Sequence, residues 1–225
     1  MFGDEDDWEK GNREDKQEEV GVTDEEGYYK AVEGSVMNGK YQVMGKLGKG
    51  VFGAVLKCEN LESKEIVAVK VLRKNSVTQK SGEREYSILS KMKSPRIMAV
   101  SDYFIQDGHL CLVCEVLSID WRSFIHRKQP SLDDIRLYAI SMFLIAHELR
   151  KRQIIHADIK PDNFMFKEVP IEVGRQEDKS IIDSMKLVDF GSAMWVHEHS
   201  SHVEYQVARY YRAPEIMLGT RVKAF

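Results

Sequence analysis

The octapeptide HADIKPDN, residues 156–163, gathers a histidine, two aspartates, a lysine and an asparagine into eight positions. Asp158 and Asn163 set a carboxylate and an amide oxygen five residues apart, and Asp189 adds a second carboxylate after a short apolar strand in LVDFGSA. Hard oxygen donors of this kind suit Mg²⁺, which takes one or two carboxylates and keeps waters and substrate phosphates as its other ligands. The same side chains also serve as turn formers, because Asx residues bond their own backbone in loops.

A phosphate-binding counterpart is written upstream. GKGVFGAV, residues 48–55, has the Gly-x-Gly-x-x-Gly spacing and follows the strand-like YQVMGKL. Glycines mark bulges and turns as well, so the spacing alone is a weak signal. A dinucleotide fingerprint needs a helix directly after its glycines, whereas AVLKCEN continues as strand. The glycines are therefore expected to form a hairpin lid over a nucleotide. In EIVAVKVL a period of two puts Ile66, Ala68, Lys70 and Leu72 on one face, and the small Ala68 leaves room for a flat ring beside the Lys70 ammonium. Standing alone, such a lysine reads as one snorkelling from a sheet edge. Glu85, on the helical segment that follows, offers the counter-charge that would hold it toward phosphate oxygens.

The elements that must position these groups divide the chain in two. Over residues 41–117 apolar residues come in short runs of period two broken by glycine and polar turns, which predicts a twisted antiparallel sheet. One helix interrupts it: EREYSILSKM sets Glu85, Ile88, Leu89 and Met92 along one side. Past residue 117 helical periods take over, in WRSFIHRK and then in residues 131–152, where SLDD resembles a capping box. ELRKRQ, residues 148–153, reads as the end of that helix and not as a nuclear import signal. Residues 167–184 are polar, contain Pro170 and Gly174, and read as a solvated loop or hairpin extension between two short apolar segments.

Composition narrows the function classes. A chain of 225 residues with 43% hydrophobic content can bury a sizeable core. Residues 1–33 hold 13 acids against 4 bases, net −9 within an overall −3, and predict an acidic, disordered tail. The longest mostly apolar stretch, LYAISMFLIAHEL at 137–149, is too short and too interrupted to span a bilayer, and the first residues lack the basic-then-apolar pattern of a signal peptide. Cys58, Cys111 and Cys114 are too few for a disulfide scaffold. Cys111 and Cys114 lie in a strand-like run at i and i+3, which points them to opposite faces and disfavours a shared metal or disulfide. His197, His199 and His202 read as solvated loop residues, because a closed zinc site wants four ligands on a rigid frame.

Taken in order, the glycine loop, the VAVK lysine, HADIKPDN, DFG at 189–191 and APE at 213–215 resemble the eukaryotic protein kinases, from residue 41 to the C-terminal end. The resemblance implies an α+β, bilobal fold, with an N-lobe over 34–117 and a partial, mainly helical C-lobe over 118–225. It implies ATP and Mg²⁺ as cofactors and protein hydroxyls as acceptors. Gly48, Lys49, Gly50, Val51, Phe52, Gly53, Val55 and Ala68 would enclose ATP. Lys70, paired with Glu85, would contact its α and β phosphates. Asp158 would orient or accept the proton of the acceptor hydroxyl, Lys160 would steady the γ-phosphate, and Asn163 with Asp189 would hold the metal. Glu115 to Leu117 match the hinge that bonds adenine through its backbone, with Cys114 at the gatekeeper position.

Ala157 stands where the commonest kinases have arginine, a residue that grips a phosphorylated side chain of the activation segment. The sequence HVEYQVARYYRAPEI is similar to the CMGC group, which implies phosphorylation of Tyr205 and its capture by Arg209 and Arg212. Within that group HADIKPDN, DEEGYYKAVEG at 24–34 and HLCLVCEVLS at 109–118 resemble the pre-mRNA-processing kinases, relatives of the dual-specificity tyrosine-regulated kinases. That branch implies a serine/threonine kinase acting on splicing factors in the nucleus, without direct nucleic-acid binding or membrane association. The sequence stops ten residues past Glu215, where family members continue into further helices. The apolar face within 137–146 is then expected to lack packing and the chain to fold poorly alone. An inactive fragment serving as a binding or scaffold protein is the alternative, and a nucleotide-binding protein outside the kinases a third.

Overall fold

A computed structural model of the chain describes residues 22–168, 183–198 and 209–218. Runs rich in Val, Leu and Ile build a six-stranded sheet from β1 (Val36–Met37), β2 (Tyr41–Lys49), β3 (Gly53–Asn60), β4 (Ile66–Leu72), β5 (Val100–Gln106) and β6 (His109–Cys114), in the spatial order β1-β2-β3-β4-β6-β5. Every neighbouring pair is antiparallel.

Alternation along β4 and β6 gives the sheet two apolar faces. Val69, Val71, Cys111 and Val113 join an outer cluster with Met37, Tyr41, Val43 and Phe104. Ala68, Leu112 and Cys114 point inward. Cys111 and Cys114 therefore sit on opposite faces, as their spacing implies, and both thiols are buried and free.

Helix α1 (Ser76–Leu89) packs on the inner face, capped by the Asn75 side chain, which accepts from the N–H groups of Val77 and Thr78. It buries Gly82, Glu85, Ile88 and Leu89, and the predicted stripe continues to the buried Met92. The helix starts well before the EREYSILSKM run, because its first half is polar and carries no apolar period. Gly82 lets it lie close to the sheet: a Cβ there would stand 2.1 Å from Leu72 Cδ1 and 2.5 Å from Leu110 Cδ2.

The second half begins with α2 (Trp121–Lys128) and α3 (Leu132–Lys151). Ser131 and Asp134 form the expected capping box, and Arg152 closes α3 as its C-cap. Phe124, Tyr138, Ile145, Leu149 and Phe166 share one cluster with the inner face of the sheet. On its other side α3 leaves Ile140 and Leu144 exposed and Phe143 75% exposed. Short strands β7 (Ile154–Ile155) and β10 (Met194–Trp195) pair, as do β8 (Phe164–Phe166) and β9 (Met185–Leu187). The β8–β9 pairing makes residues 167–184 a hairpin connection, of which 169–182 lie outside the described residues.

Residues 22–33 depart from the predicted disordered tail. Thr23 bridges to Tyr29, and Tyr29 packs on the outer cluster, so the aromatic and glycine content of this stretch outweighs its charge. Residues 1–21 lie outside the described residues. No helix of the described residues is long and apolar enough to cross a membrane.

Candidate active site

The inner face of β4 carries Ala68 and Lys70, and the register Val55↔Lys70 sets the lysine beneath the glycine hairpin. Lys70 Nζ lies 3.0 Å from Glu85 Oε1, 2.8 Å from Glu85 Oε2 and 2.8 Å from Asp189 Oδ1. Glu85 reaches it because α1 turns that side chain toward the sheet, where it is 1% exposed. The Phe190 N–H donates to Glu85 Oε1 at 3.2 Å, and the Ser81 hydroxyl donates to the Gly191 carbonyl at 2.6 Å, so α1 also holds the DFG turn.

Burial by itself would depress the Lys70 ammonium, but Glu85 and Asp189 more than offset it and hold its pKa above the ordinary lysine range. Burial pushes the Glu85 carboxyl up, opposed by Lys70 and by the Phe190 N–H. The Lys70 charge holds Asp189 below the usual carboxylate range, against the effect of burial.

The HADIKPDN segment is built around its buried groups. His156 is 3% exposed; its Nε2–H donates to the Val188 carbonyl at 3.1 Å and its Nδ1 accepts from the Asp158 N–H at 3.3 Å. Its ring stands edge-on to Phe190 at 4.7 Å. Ala157 adopts φ +62°, in the left-handed region. Lys160 Nζ lies 2.6 Å from Asp158 Oδ2, and Asn163 Nδ2 donates to the Asp158 carbonyl at 2.8 Å and to Oδ2 at 3.1 Å. A 3-10 turn over Pro161–Asn163, with proline in its first position, delivers Asn163 directly to β8. The Val188 N–H donates to the Asn163 carbonyl at 2.9 Å, so β8 and β9 bring Asn163 and Asp189 to the same end of their hairpin.

This donor set, one carboxylate and one amide oxygen, fits a magnesium ion. Among the described residues no cluster of three or more His, Cys, Asp or Glu side chains forms, so a metal here would complete its shell with water and phosphate, as Mg²⁺ does.

The glycine hairpin joins β2 to β3. A Cβ on Gly53 would stand 2.1 Å from the Val71 carbonyl, so that glycine is required by strand approach. A Cβ on Gly48 or Gly50 would meet nothing within 4 Å, which leaves their backbone open to a ligand. Lys49 and Val51 lie at the exposed crest beside Phe52, which is 40% exposed. Val55 packs on the inner cluster with Ala68 and Cys114, and burial pushes the Cys114 thiol up to about 12. Leu117 packs partly buried on the same cluster. The Glu115 N–H donates to the Ala99 carbonyl at 3.2 Å, while its carboxylate accepts from the Ala99 N–H at 2.7 Å and meets Lys186 Nζ at 2.7 Å.

The structure thus brings together Lys70, Glu85 and Asp189, and separately Asp158, Lys160 and Asn163, with His156 tying the second group to Val188 beside the first. Tyr205 lies outside the described residues; Arg209 is exposed and Arg212 half-buried in the segment that follows it. Sequence reasoning missed a second bracing pair. Arg122 of α2 donates to both Asp162 carboxylate oxygens, at 2.8 and 3.0 Å, and also donates to the Tyr211 hydroxyl. This links α2, the HADIKPDN loop and the segment before APE. It missed Lys186 as well, although a lysine inside an apolar strand announces a buried partner.

Comparison with known proteins agrees with the geometry. The family profile described as "Protein kinase domain" matches residues 41–224. Serine/threonine-protein kinase prpf4B of Dictyostelium discoideum is 35% identical over 208 residues, covering 87% of this chain and 24% of the relative. Serine/threonine-protein kinase prp4 of Schizosaccharomyces pombe is 34% identical over 206 residues, covering 87% and 40%. Dual specificity tyrosine-phosphorylation-regulated kinase mbk-2 of Caenorhabditis elegans is 32% identical over 210 residues, covering 89% and 24%. The chain thus spans between 24% and 40% of the length of these relatives. A crystal structure of a kinase domain superposes with a TM-score of 0.75 at 29% identity, covering 87% of this chain and 63% of that one. A lysine held between a helical glutamate and the DFG aspartate, under a glycine hairpin and inside a matching domain profile, makes this chain a member of the protein kinase family, with a partial bilobal fold.

Proposed function

We propose that this cleft binds ATP with Mg²⁺ and transfers the γ-phosphate to serine or threonine hydroxyls of protein substrates. Splicing factors are the substrate class favoured by the likeness to the pre-mRNA-processing kinases, and that likeness also supports a nuclear role. The observation that carries the reading is the Lys70 ammonium, fastened 2.8 Å from both Glu85 and Asp189 beneath the hairpin. A half-buried cation aimed by two carboxylates is what α and β phosphates need, and phosphoryl transfer depends mainly on such positioning and charge neutralisation.

The acceptor oxygen attacks the γ-phosphorus as the bond to the β,γ-bridging oxygen breaks, and ADP leaves with that electron pair. Asp158 receives the hydroxyl proton; Lys160 and Asn163 hold its carboxylate in one orientation for the task. Lys160, already beside Asp158, steadies the γ-phosphate oxygens. Asn163 and Asp189 would hold Mg²⁺, which neutralises charge on the β and γ phosphates. Gly48, Lys49, Gly50, Val51, Phe52 and Gly53 cover the phosphates, and Val55 and Ala68 face the adenine. Because the Glu115 N–H is taken by Ala99, its carbonyl is the group left for the adenine, with Leu117 supplying the next backbone contact.

The test is transfer of labelled γ-phosphate to a basic serine-containing protein. Asp158→Asn should lower the rate by about a hundred- to ten-thousandfold, the usual worth of a general base, while leaving ATP uptake intact. Lys70→Met should abolish transfer, and a Lys70→Met protein working at the unaltered rate would remove the basis of the assignment.

A further inference from the structure

Residues 22–30 lie outside the cleft yet reach its lid. The segment folds back through the Thr23↔Tyr29 bridge, the Tyr28 N–H donates to Asp24 Oδ1 at 2.7 Å, and Gly27 takes the left-handed conformation the turn requires, φ +85°. Two anchors fix this turn to the sheet. The Lys74 N–H donates to the Gly27 carbonyl at 2.9 Å. The Thr23 hydroxyl lies 2.9 Å from His109 Nε2, and His109 Nδ1 meets the Leu72 carbonyl at 2.8 Å.

From that base Tyr28 extends to the crest of the hairpin, where its O–H donates to the Gly50 carbonyl at 3.0 Å. Lys49 Nζ sits 3.7 Å from the centroid of the Tyr28 ring and the Arg73 guanidinium 4.8 Å from it. Lys49 also lies 3.5 Å from Glu26, and Arg73 donates to the Glu26 carbonyl and, at 3.4 Å, to the Val51 carbonyl. The crest has little packing of its own: Val51 is 73% exposed, and the Gly50 N–H closes the hairpin only on its own Gly53 carbonyl, at 2.8 Å. An exposed hairpin with two glycines at its crest would ordinarily sample open positions freely. Here the Tyr28 phenol bridges it to an anchored turn, beside the weaker Lys49–Glu26 contact, while the Arg73 N–H donates to the Phe52 carbonyl at 2.9 Å.

We propose that Tyr28 is a positioning residue for the glycine hairpin, a latch that holds the lid down so that nucleotide exchange must break its bond to Gly50. Its effect on nucleotide rests on the ATP reading above; the latch itself does not. When only the closed fraction of a lid binds tightly, apparent affinity scales with that fraction.

Hydrogen exchange on the full chain without nucleotide tests the latch directly. Tyr28→Phe removes the hydroxyl and keeps the ring under Lys49 and Arg73; it should speed exchange within residues 48–55 by about two- to tenfold, the worth of one net hydrogen bond. Tyr28→Leu, which removes the ring as well, should speed it further. Exchange in α1 should be unchanged in both. Dissociation of labelled ATP with Mg²⁺ should quicken by the same factors in the same order. Unchanged exchange over 48–55 in both variants, or an equal rise in α1, would overturn the latch, the latter by showing a general loss of stability. Faster exchange confined to 48–55 in a protein whose unaltered form takes up no ATP would support the latch and remove the nucleotide reading instead.

Discussion

At the scale of single residues, His156 carries a consequence beyond packing. Its neutral tautomer satisfies a carbonyl with one nitrogen and an N–H with the other. A second proton would turn the Asp158 N–H and the ring into two opposed donors. Burial lowers the His156 pKa below its ordinary 6.5, although Val188, Asp189 and Asp158 pull the other way. The unfolded chain therefore takes up a proton that the folded chain refuses. Stability from this residue is complete above about pH 6.5 and is lost as pH falls below that value. Urea midpoints measured between about pH 7.5 and 5.5 should fall, and His156→Gln should be less stable at the upper end yet show a flatter profile. An unaltered slope in the variant would move the effect to other groups. The Lys70–Glu85 pairing was legible in sequence because Lys70 lies in a short strand motif and Glu85 on the apolar stripe of the helical segment that follows. Arg122 was not, because its partner Asp162 is 40 residues away and nothing local marks the pair.

At the scale of elements, α1 decides whether Glu85 meets Lys70. Alanine is the better helix former by about 1 kcal/mol, so Gly82→Ala would stabilise an isolated helix. In the protein the added Cβ would stand 2.1 Å from Leu72 and 2.5 Å from Leu110, and overpacking of this kind costs about 1 to 3 kcal/mol. Gly82→Ala is expected to lower stability by about 1 kcal/mol in a denaturant titration and to reduce phosphate transfer more than tenfold, since the helix carrying Glu85 must back away. Equal stability with full activity would mean that both leucines yield without moving the helix. The start of α1 was hidden because SVTQKSG has no apolar period; only tertiary burial of Thr78 and Gly82 reveals it. The start of α3 was legible because Ser131 and Asp134 cap it through local bonds.

At the scale of the molecule, the order of a sheet region followed by helices could be read from the change of hydrophobic period. The way the two regions join could not, because it depends on pairings distant in sequence. The Met98 N–H donates to the Leu187 carbonyl at 3.0 Å and the Leu187 N–H to the Arg96 carbonyl at 2.9 Å, so β9 is stitched to the stretch just before β5. Below that seam, Ala68, Leu112 and Cys114 of the sheet pack in the same cluster as Tyr138, Ile145 and Phe166. The exposed Ile140, Phe143 and Leu144 keep the margin of the unsevered chain small, so polypeptides severed at residue 117 should each be insoluble when produced separately, whereas co-production should restore the melting of the unsevered chain, in a single calorimetric transition. Two independent transitions would contradict a shared interior. The cleft is thus cut into one cooperative body, and a blemish on either bank should be felt as softness on the other.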